Sequence, residues 1–316
     1  MQTPMIPLPH RALCRVFVPG VGPRLGGVYG DGVVDLTGAD PERCATLSDL
    51  LAIPNGIEQV LTTSAALPPT WSFAALDQAP DATTPHLLAP IDEQEVWAAG
   101  VTYTRSREAR IHESQNAADV YARVYDAERP ELFFKSLAAR VVGSHAAVAV
   151  RPDASWSVPE PELTLLLDAS FHIVGCTVGN DMSSRDIEGQ NPLYLPQAKV
   201  YERACALGPV IVPFTDLDTA DLAIHCAIHR DGQVIFTGET STAALHRRFD
   251  ELVAYLGRCL SFPHGVYLMT GTGIVPPDMV SLHPGDTVTI SIAGIGTLIN
   301  TVSEAVGQAG RDNLPT

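Results

Sequence analysis

Three carboxylates in the 316-residue sequence have types and spacing that could do chemistry. Glu160 and Glu162 lie in PEPELTLLLD (residues 159–168), and Asp181 ends FHIVGCTVGND (171–181). Both segments read as strands joined at Asp168, Ala169 and Ser170. Side chains two apart on a strand share a face, so Glu160 and Glu162 point the same way. A two-residue turn at Ala169–Ser170 would set Glu162 opposite Thr177 and Glu160 opposite Gly179. Asp181 then follows one alternation further along that face. Neighbours across a strand pair sit about 5 Å apart at Cβ, and carboxylates that close repel unless a proton or a cation intervenes. An oxygen-only donor set suits Mg²⁺, Mn²⁺ or Ca²⁺ rather than zinc, and Mg²⁺ keeps positions for water or a chelating substrate. The inference depends on register, because a one-residue slip sends Asp181 to the other face. The spacing also admits two surface glutamates and a turn aspartate. The flanking prolines mark an edge strand or a special site.

The elements that must position these groups are mostly strands. Glycine and proline, 25 of each, punctuate many short segments, which reads as a strand-rich α+β fold with frequent turns. Residues 1–90 form a small N-terminal α+β domain. In it, Ala12–Val18 precedes a hairpin over Arg24–Leu36, with its turn at Gly30, Asp31 and Gly32. Short helices are expected at Thr46–Ala52 and Ile57–Leu61, and a linker or edge segment over Asp77–Pro90. Residues 91–306 form the second, catalytic unit. Val96–Val101 is a strand; Leu222–His229 and Val234–Thr237 flank an Asp231-Gly232 turn; Val280–Ile292 alternates around Pro284, Gly285 and Asp286. A helix is expected over Ser241–Cys259, capped by Ser241, with Ala244, Leu245, Phe249, Leu252, Val253 and Leu256 on its apolar face. Residues 307–316 read as a frayed tail.

Composition excludes several functions. With 46% apolar and 18% charged residues the chain can bury a sizeable core. A net charge of −16 argues against nucleic-acid binding, which needs a basic face, and against a polybasic membrane surface. No apolar run reaches the roughly 18 residues of a membrane span, and the N-terminus shows no secretory pattern. Cys14, Cys44, Cys176, Cys205, Cys226 and Cys259 form no Cys-x-x-Cys pair, so they read as reduced thiols in the cytoplasm. His225 and His229 fall on the polar face of a strand. Gly20–Gly26 lacks the ending of a phosphate-binding loop, and Asp216, Asp218 and Asp221 lack the glycine and distal glutamate of a calcium loop.

Five motifs, in order, carry a resemblance: EPEL at 160–163, GNDMSSRD at 179–186 with Lys199 downstream, LMTGTG at 268–273, PGD at 284–286 and GIGTL at 294–298. Together they resemble the fumarylacetoacetate hydrolase superfamily over residues 91–303. The resemblance implies a mixed β-roll catalytic domain, with Glu160, Glu162 and Asp181 as ligands of Mg²⁺ and Mn²⁺ or Ca²⁺ as alternatives. RSREAR at 105–110 and RDIEGQNPLYLPQAK at 185–199 are similar to the 2-keto-3-deoxy-pentonate dehydratase branch. That branch forms 2,5-dioxopentanoate in non-phosphorylative pentose catabolism. The implied partner is a small 2-oxo acid, and the implied assembly a homodimer or homotetramer.

One departure bears on the chemistry. Hydrolases of the superfamily carry Tyr-x-x-His-x-x-Glu, whereas this chain has Tyr103, Ser106 and Ala109. Neither serine nor alanine supplies a base that titrates near neutrality. The departure favours dehydration over hydrolysis. Two alternatives remain: an acylpyruvate or diketo-acid hydrolase using His112 and Glu113, and a non-catalytic sugar-acid-binding module. Lys199 resembles the family's active-site lysine, which would hold the keto or enolate oxygen or relay a proton; Glu113 would be a base closing over the substrate, and Glu188, where the family often has glutamine, would touch the leaving hydroxyl. Thr272 would bind the substrate carboxylate, and Tyr103, Arg105, Arg185, Gln197 and Gly271 would complete the substrate site. Three ligand charges and a dication leave one negative charge, which Lys199 cancels. An anionic substrate then needs Arg105, Arg107 or backbone N–H groups near Gly271 and Thr272.

Overall fold

Short apolar segments separated by glycine-containing turns fold into a meander at the start of the chain. The computed structural model describes residues 6–113 and 123–306. β1 (Ala12–Val18), β2 (Gly22–Tyr29) and β3 (Gly32–Asp35) pair antiparallel in succession. Gly30, at φ +60, supplies the left-handed residue of the β2–β3 turn. Short helices follow: α1 (Leu36–Ala39), α2 (Leu47–Leu51) and α3 (Gly56–Thr63). Thr46 caps α2 by accepting from the Asp49 N–H. β4 (Trp71–Ser72) extends the meander beside β3, before α4 (Phe73–Leu76). The Asp77–Pro90 stretch holds a strand, β5 (His86–Leu88), which pairs with β1.

The rest of the chain supplies β6 (Glu95–Gly100), α5 (Thr104–Glu113), β7 (Glu131–Leu137), β8 (Val141–Val142), β9 (Val148–Val150), β10 (Ser157–Val158), β11 (Pro161–Leu167), β12 (Ile173–Asp181) and β13 (Ser183–Ser184). Then come α6 (Arg185–Gln190), α7 (Leu195–Lys199), β14 (Cys205–Pro213), β15 (Ala223–Arg230), β16 (Gln233–Ser241), α8 (Phe249–Leu256), β17 (Val266–Met269), β18 (Thr287–Ile292) and β19 (Gly296–Glu304). The large sheet runs β4-β3-β2-β1-β14-β12-β11-β17-β6-β7, and a second runs β16-β15-β18-β19-β9. Most pairs are antiparallel, but β17–β6, β14–β8 and β19–β9 are parallel, so the sheets are mixed, as the strand-rich α+β reading expects. There is no break in the sheet near residue 90. Leu13 pairs with Ile211, and Ala12, Cys14 and Val16 share a core with Leu163, Leu165 and Val178.

Alternation on β11 separates two cores. Leu163, Leu165 and Leu167 face one; Leu166 faces the other with Leu207, Ile211, Tyr267 and Met269. Glu160, Glu162 and Thr164 share the parity of Leu166, so the functional groups sit at the polar end of the second core's face.

Two sequence expectations change. The Ser241–Cys259 helix is shorter. Pairing of Ala223 with Ser241 holds β16 extended to its end, and Ser241 caps only a single 3-10 turn, Thr242–Ala244. Leu245 and His246 then bond to the Tyr103 and Thr102 backbone, and α8 starts at Phe249. In Val280–Ile292 only β18 is a strand. The preceding stretch is a turn at Gly285 (φ +96), where the Asp286 carboxylate binds Arg230 and the His283 N–H. Among the described residues no helix is long and apolar enough to cross a membrane.

Candidate active site

The β11–β12 hairpin brings the three carboxylates together by a register two residues from the expected one. Glu162 pairs with Gly179, and the Asp181 N–H donates to the Glu160 carbonyl at 2.9 Å, so Glu160 lies opposite Asp181. The connection is longer than a two-residue turn. Asp168 bonds His172 and Phe171 through its backbone, its carboxylate caps the Ser170 and His172 N–H groups, and Phe171 takes φ +64. The pairing also slips between Leu166 and Leu167. A shift of two preserves parity, so the wrong register still gave the right face. All three side chains are buried, and their donor oxygens lie within 4.8 Å of one another.

Three buried cations grip this cluster. Lys199 Nζ donates to Glu160 Oε2 (2.7 Å) and Asp181 Oδ2 (2.8 Å). Arg185 Nη1 donates to Glu160 Oε1 (2.9 Å). Lys135 Nζ lies 2.5 Å from Asp181 Oδ1 and donates to the carbonyls of Met182 (2.9 Å) and Lys199 (2.6 Å). Sequence reasoning missed Lys135; its signal was a lysine inside the apolar run ELFFKSL, which must find a partner when that strand is buried. Glu162 is held instead by a backbone donor, the Gly271 N–H at 2.6 Å. Burial, and then the charges of Asp181 and Glu160, hold its carboxyl well above the usual range; Lys199 and the Gly271 N–H only partly oppose them. Buried oxygens with an electrostatic deficit at Glu162 fit a divalent cation.

Beside the cluster lies a small cavity, whose wall includes Ser106, Glu131, Phe133, Glu188, Lys199 and Thr272. Glu188, on α6, is buried and accepts from Ser183 Oγ at 3.1 Å. Thr272 closes its own turn, accepting from the Ile274 N–H at 3.1 Å. Gly271 has φ +90 and its N–H is committed to Glu162; a Cβ there would collide with Thr102 Oγ1. Tyr103 is buried, its hydroxyl has no partner among the described residues, and burial with the Glu162 charge pushes its pKa up. Arg185 grips Glu160, and its guanidinium lies 5.9 Å from the Trp156 ring. Arg105 and Gln197 are exposed and absent from the cavity wall. Glu113 ends α5, but its side chain and that of His112 lie outside the described part.

Ser106, where a hydrolase would carry histidine, donates to the Tyr103 carbonyl at 2.8 Å and so fastens the first turn of α5. The cavity contains a carboxylate that sequence reasoning did not single out: Glu131, at the start of β7, lies over Gly100, where any Cβ would strike its carboxylate. Tertiary pairing of β6 with β7 puts it there, and no local pattern announces that.

Comparison with known proteins agrees with this geometry. Residues 95–303 match the family model described as fumarylacetoacetate (FAA) hydrolase C-terminal. The chain is 50% identical over 219 residues to a probable 2-keto-3-deoxyxylonate dehydratase of Haloferax volcanii, covering 69% of this chain and 75% of that protein. It is 44% identical over 224 residues to the 2-dehydro-3-deoxy-D-arabinonate dehydratase of Saccharolobus solfataricus, covering 69% and 74%. A solved structure of 2-keto-3-deoxy-D-arabinonate dehydratase complexed with magnesium and 2,5-dioxopentanoate superposes with a TM-score of 0.76 at 34% identity, over 93% of this chain and 99% of that one.

Proposed function

The chain belongs to the fumarylacetoacetate hydrolase family, and we propose that it is a magnesium-dependent hydro-lyase converting a 2-keto-3-deoxy-pentonate to 2,5-dioxopentanoate. The observation that carries this reading is a cavity joining an all-carboxylate metal set to two further carboxylates, Glu131 and Glu188, with no histidine in its wall among the described residues. The similarity to the pentonate dehydratases supports the same choice of substrate.

Glu160, Glu162 and Asp181 would hold the ion, which when bound supplies Lewis acidity to the 2-oxo group. Lys199 Nζ donates to Glu160 and Asp181, and in this reading it would also meet the keto oxygen. Thr272 and Tyr103 are assigned to the substrate carboxylate and its surroundings. One of Glu131 and Glu188 takes the C3 proton, and the other protonates the departing C4 hydroxyl. Loss of a C5 proton with reprotonation at C3 then moves the double bond to C4–C5 and leaves the C5 enol, and protonation at C4 with loss of the enol hydroxyl proton gives the carbonyl. The net loss is one water, and C5 becomes the aldehyde.

Charge supports this division. The three ligands are matched by Lys135, Lys199 and Arg185, so a dication is matched by Glu131 and Glu188 together. Keeping one of those two protonated, as a general acid must be, leaves one positive charge for a monocarboxylate. Arg105 and Arg107 are not needed to balance it. A hydrolase reading lacks support from Ser106, whose hydroxyl is spent on the backbone.

Incubation with 2-keto-3-deoxy-arabinonate and -xylonate in Mg²⁺ tests the reading. An aldehyde product one water lighter, with no pyruvate, is expected; cleavage of diketo acids without dehydration would contradict it. We also place the protein in the cytoplasm as a homodimer or homotetramer. Its cysteines are unpaired among the described residues, and Leu193 and Met279 are largely exposed. Sedimentation analysis checks the assembly; a monomer would overturn that part alone.

A further inference from the structure

The stretch of chain leading into Glu131 is braced from outside the metal site. Arg247, between β16 and α8, is 8% exposed. Its Nη2 donates to the carbonyls of Val124 (3.1 Å), Tyr125 (3.3 Å) and Ala127, and its Nη1 pairs with Glu251 at 2.5 Å. The neighbouring His246 ring stacks on Tyr125 at 4.2 Å. The Arg107 guanidinium lies 4.8 Å from the same ring, and the Tyr125 hydroxyl bonds Thr104 Oγ1 at 2.9 Å. On α8, the Tyr255 hydroxyl donates to Glu128 at 3.2 Å.

Apolar packing alone would hold this stretch weakly. Among the described residues, Val101 and Tyr125 are the buried part of their cluster, with Val124 packed on it. Glu131 is the terminal pair of the β6–β7 ladder, where strand ends fray unless the chain before them is tied down. A guanidinium buried against three carbonyls provides that tie, because its planar donors are already arranged for several acceptors. The same contacts join the stretch to α5, which carries Ser106 on the cavity wall.

We propose that Arg247 is a positioning residue for the dehydration, setting through the 124–127 carbonyls where the Glu131 carboxylate stands in the cavity; this rests on the reading of that cavity as the active site. Displacing a proton-transfer group slows the chemical step more than it weakens substrate binding. R247M and the conservative R247K, each with Mg²⁺, are measured for kcat, KM and Mg²⁺ affinity beside the unsubstituted protein. R247M should lower kcat about 10- to 100-fold, with KM and the Mg²⁺ dissociation constant within about threefold, and R247K should recover part of the loss. Should R247M fail to fold, T104V, which removes the part-buried hydrogen bond to Tyr125, should still lower kcat several-fold. Folded R247M with unchanged kcat would overturn the proposal, as would a loss of Mg²⁺ affinity that accounts for the loss of rate. If the unsubstituted protein binds Mg²⁺ but dehydrates no 2-oxo sugar acid, the functional reading falls and this role with it. Activity retained there but lost in no Arg247 or Thr104 variant removes the role alone.

Discussion

Of the three clustered carboxylates, Glu162 is the one whose charge the protein itself compensates least. Its carboxyl titrates well above an ordinary glutamate because it is buried beside Asp181 and Glu160. Between the unfolded glutamate pKa and that raised value, the folded, metal-free protein holds a proton that the unfolded chain has released. Its contribution to stability is full below the unfolded glutamate pKa and is lost as pH rises through the raised folded value. Mg²⁺ must displace that proton, so calorimetry in buffers of different ionisation heat should show proton release and tighter binding as pH rises. E162Q should abolish Mg²⁺ binding and flatten the pH dependence of metal-free stability; an unchanged melting profile would contradict this. Lys135 has a different role, since it ties Asp181 to the backbone of Met182 and Lys199. K135M strands a buried carboxylate and should cost about 3 kcal/mol in denaturant unfolding, whereas a surface-like loss below about 0.5 kcal/mol would show that Asp181 does not depend on it.

At the scale of elements, the hairpin was legible because its chemistry depends on parity. The glutamate spacing and the strand-like runs put the ligands on one face, and a register error of two left that conclusion standing. The connection was not legible, since the Asp168 cap and the left-handed Phe171 are set by local bonds that no alternation reveals. An extra glycine after Ser170 should therefore be tolerated, with Mg²⁺ affinity within a few-fold. An extra residue after Val178 should abolish binding, because it turns Asp181 away from the glutamates. Glu131 and Lys135 escaped notice because they sit on a strand whose place comes from pairing with β6, far along the chain. Gly100 permits that arrangement. G100A should push the Glu131 carboxylate aside and lower kcat at least about tenfold while leaving Mg²⁺ affinity intact; wild-type turnover in G100A would remove Glu131 from the reaction. The overlong Ser241–Cys259 helix is the converse error, in which apolar spacing was overridden by the β15–β16 ladder.

For the whole molecule, long-range pairing sets what composition could not. A sequence division near residue 90 marks no gap in the large sheet, because β1 reaches β14 through Leu13 and Ile211. Composition did bear on the field around the molecule: a net charge of −16 opposes the approach of an anionic sugar acid. Screening shortens that field to about 10 Å at 0.1 M salt. Raising salt from about 0.02 to about 0.3 M should thus increase kcat/KM modestly, roughly two- to fivefold, and a steep decrease would mean that the cavity's own cations dominate capture. All of these expectations presuppose one dication on the β11–β12 hairpin. The direct measurement is an anomalous difference map from crystals of this protein soaked in Mn²⁺. A single strong peak within coordinating distance of Glu160, Glu162 and Asp181 is the expected result; no peak there, or binding only elsewhere, would contradict the account.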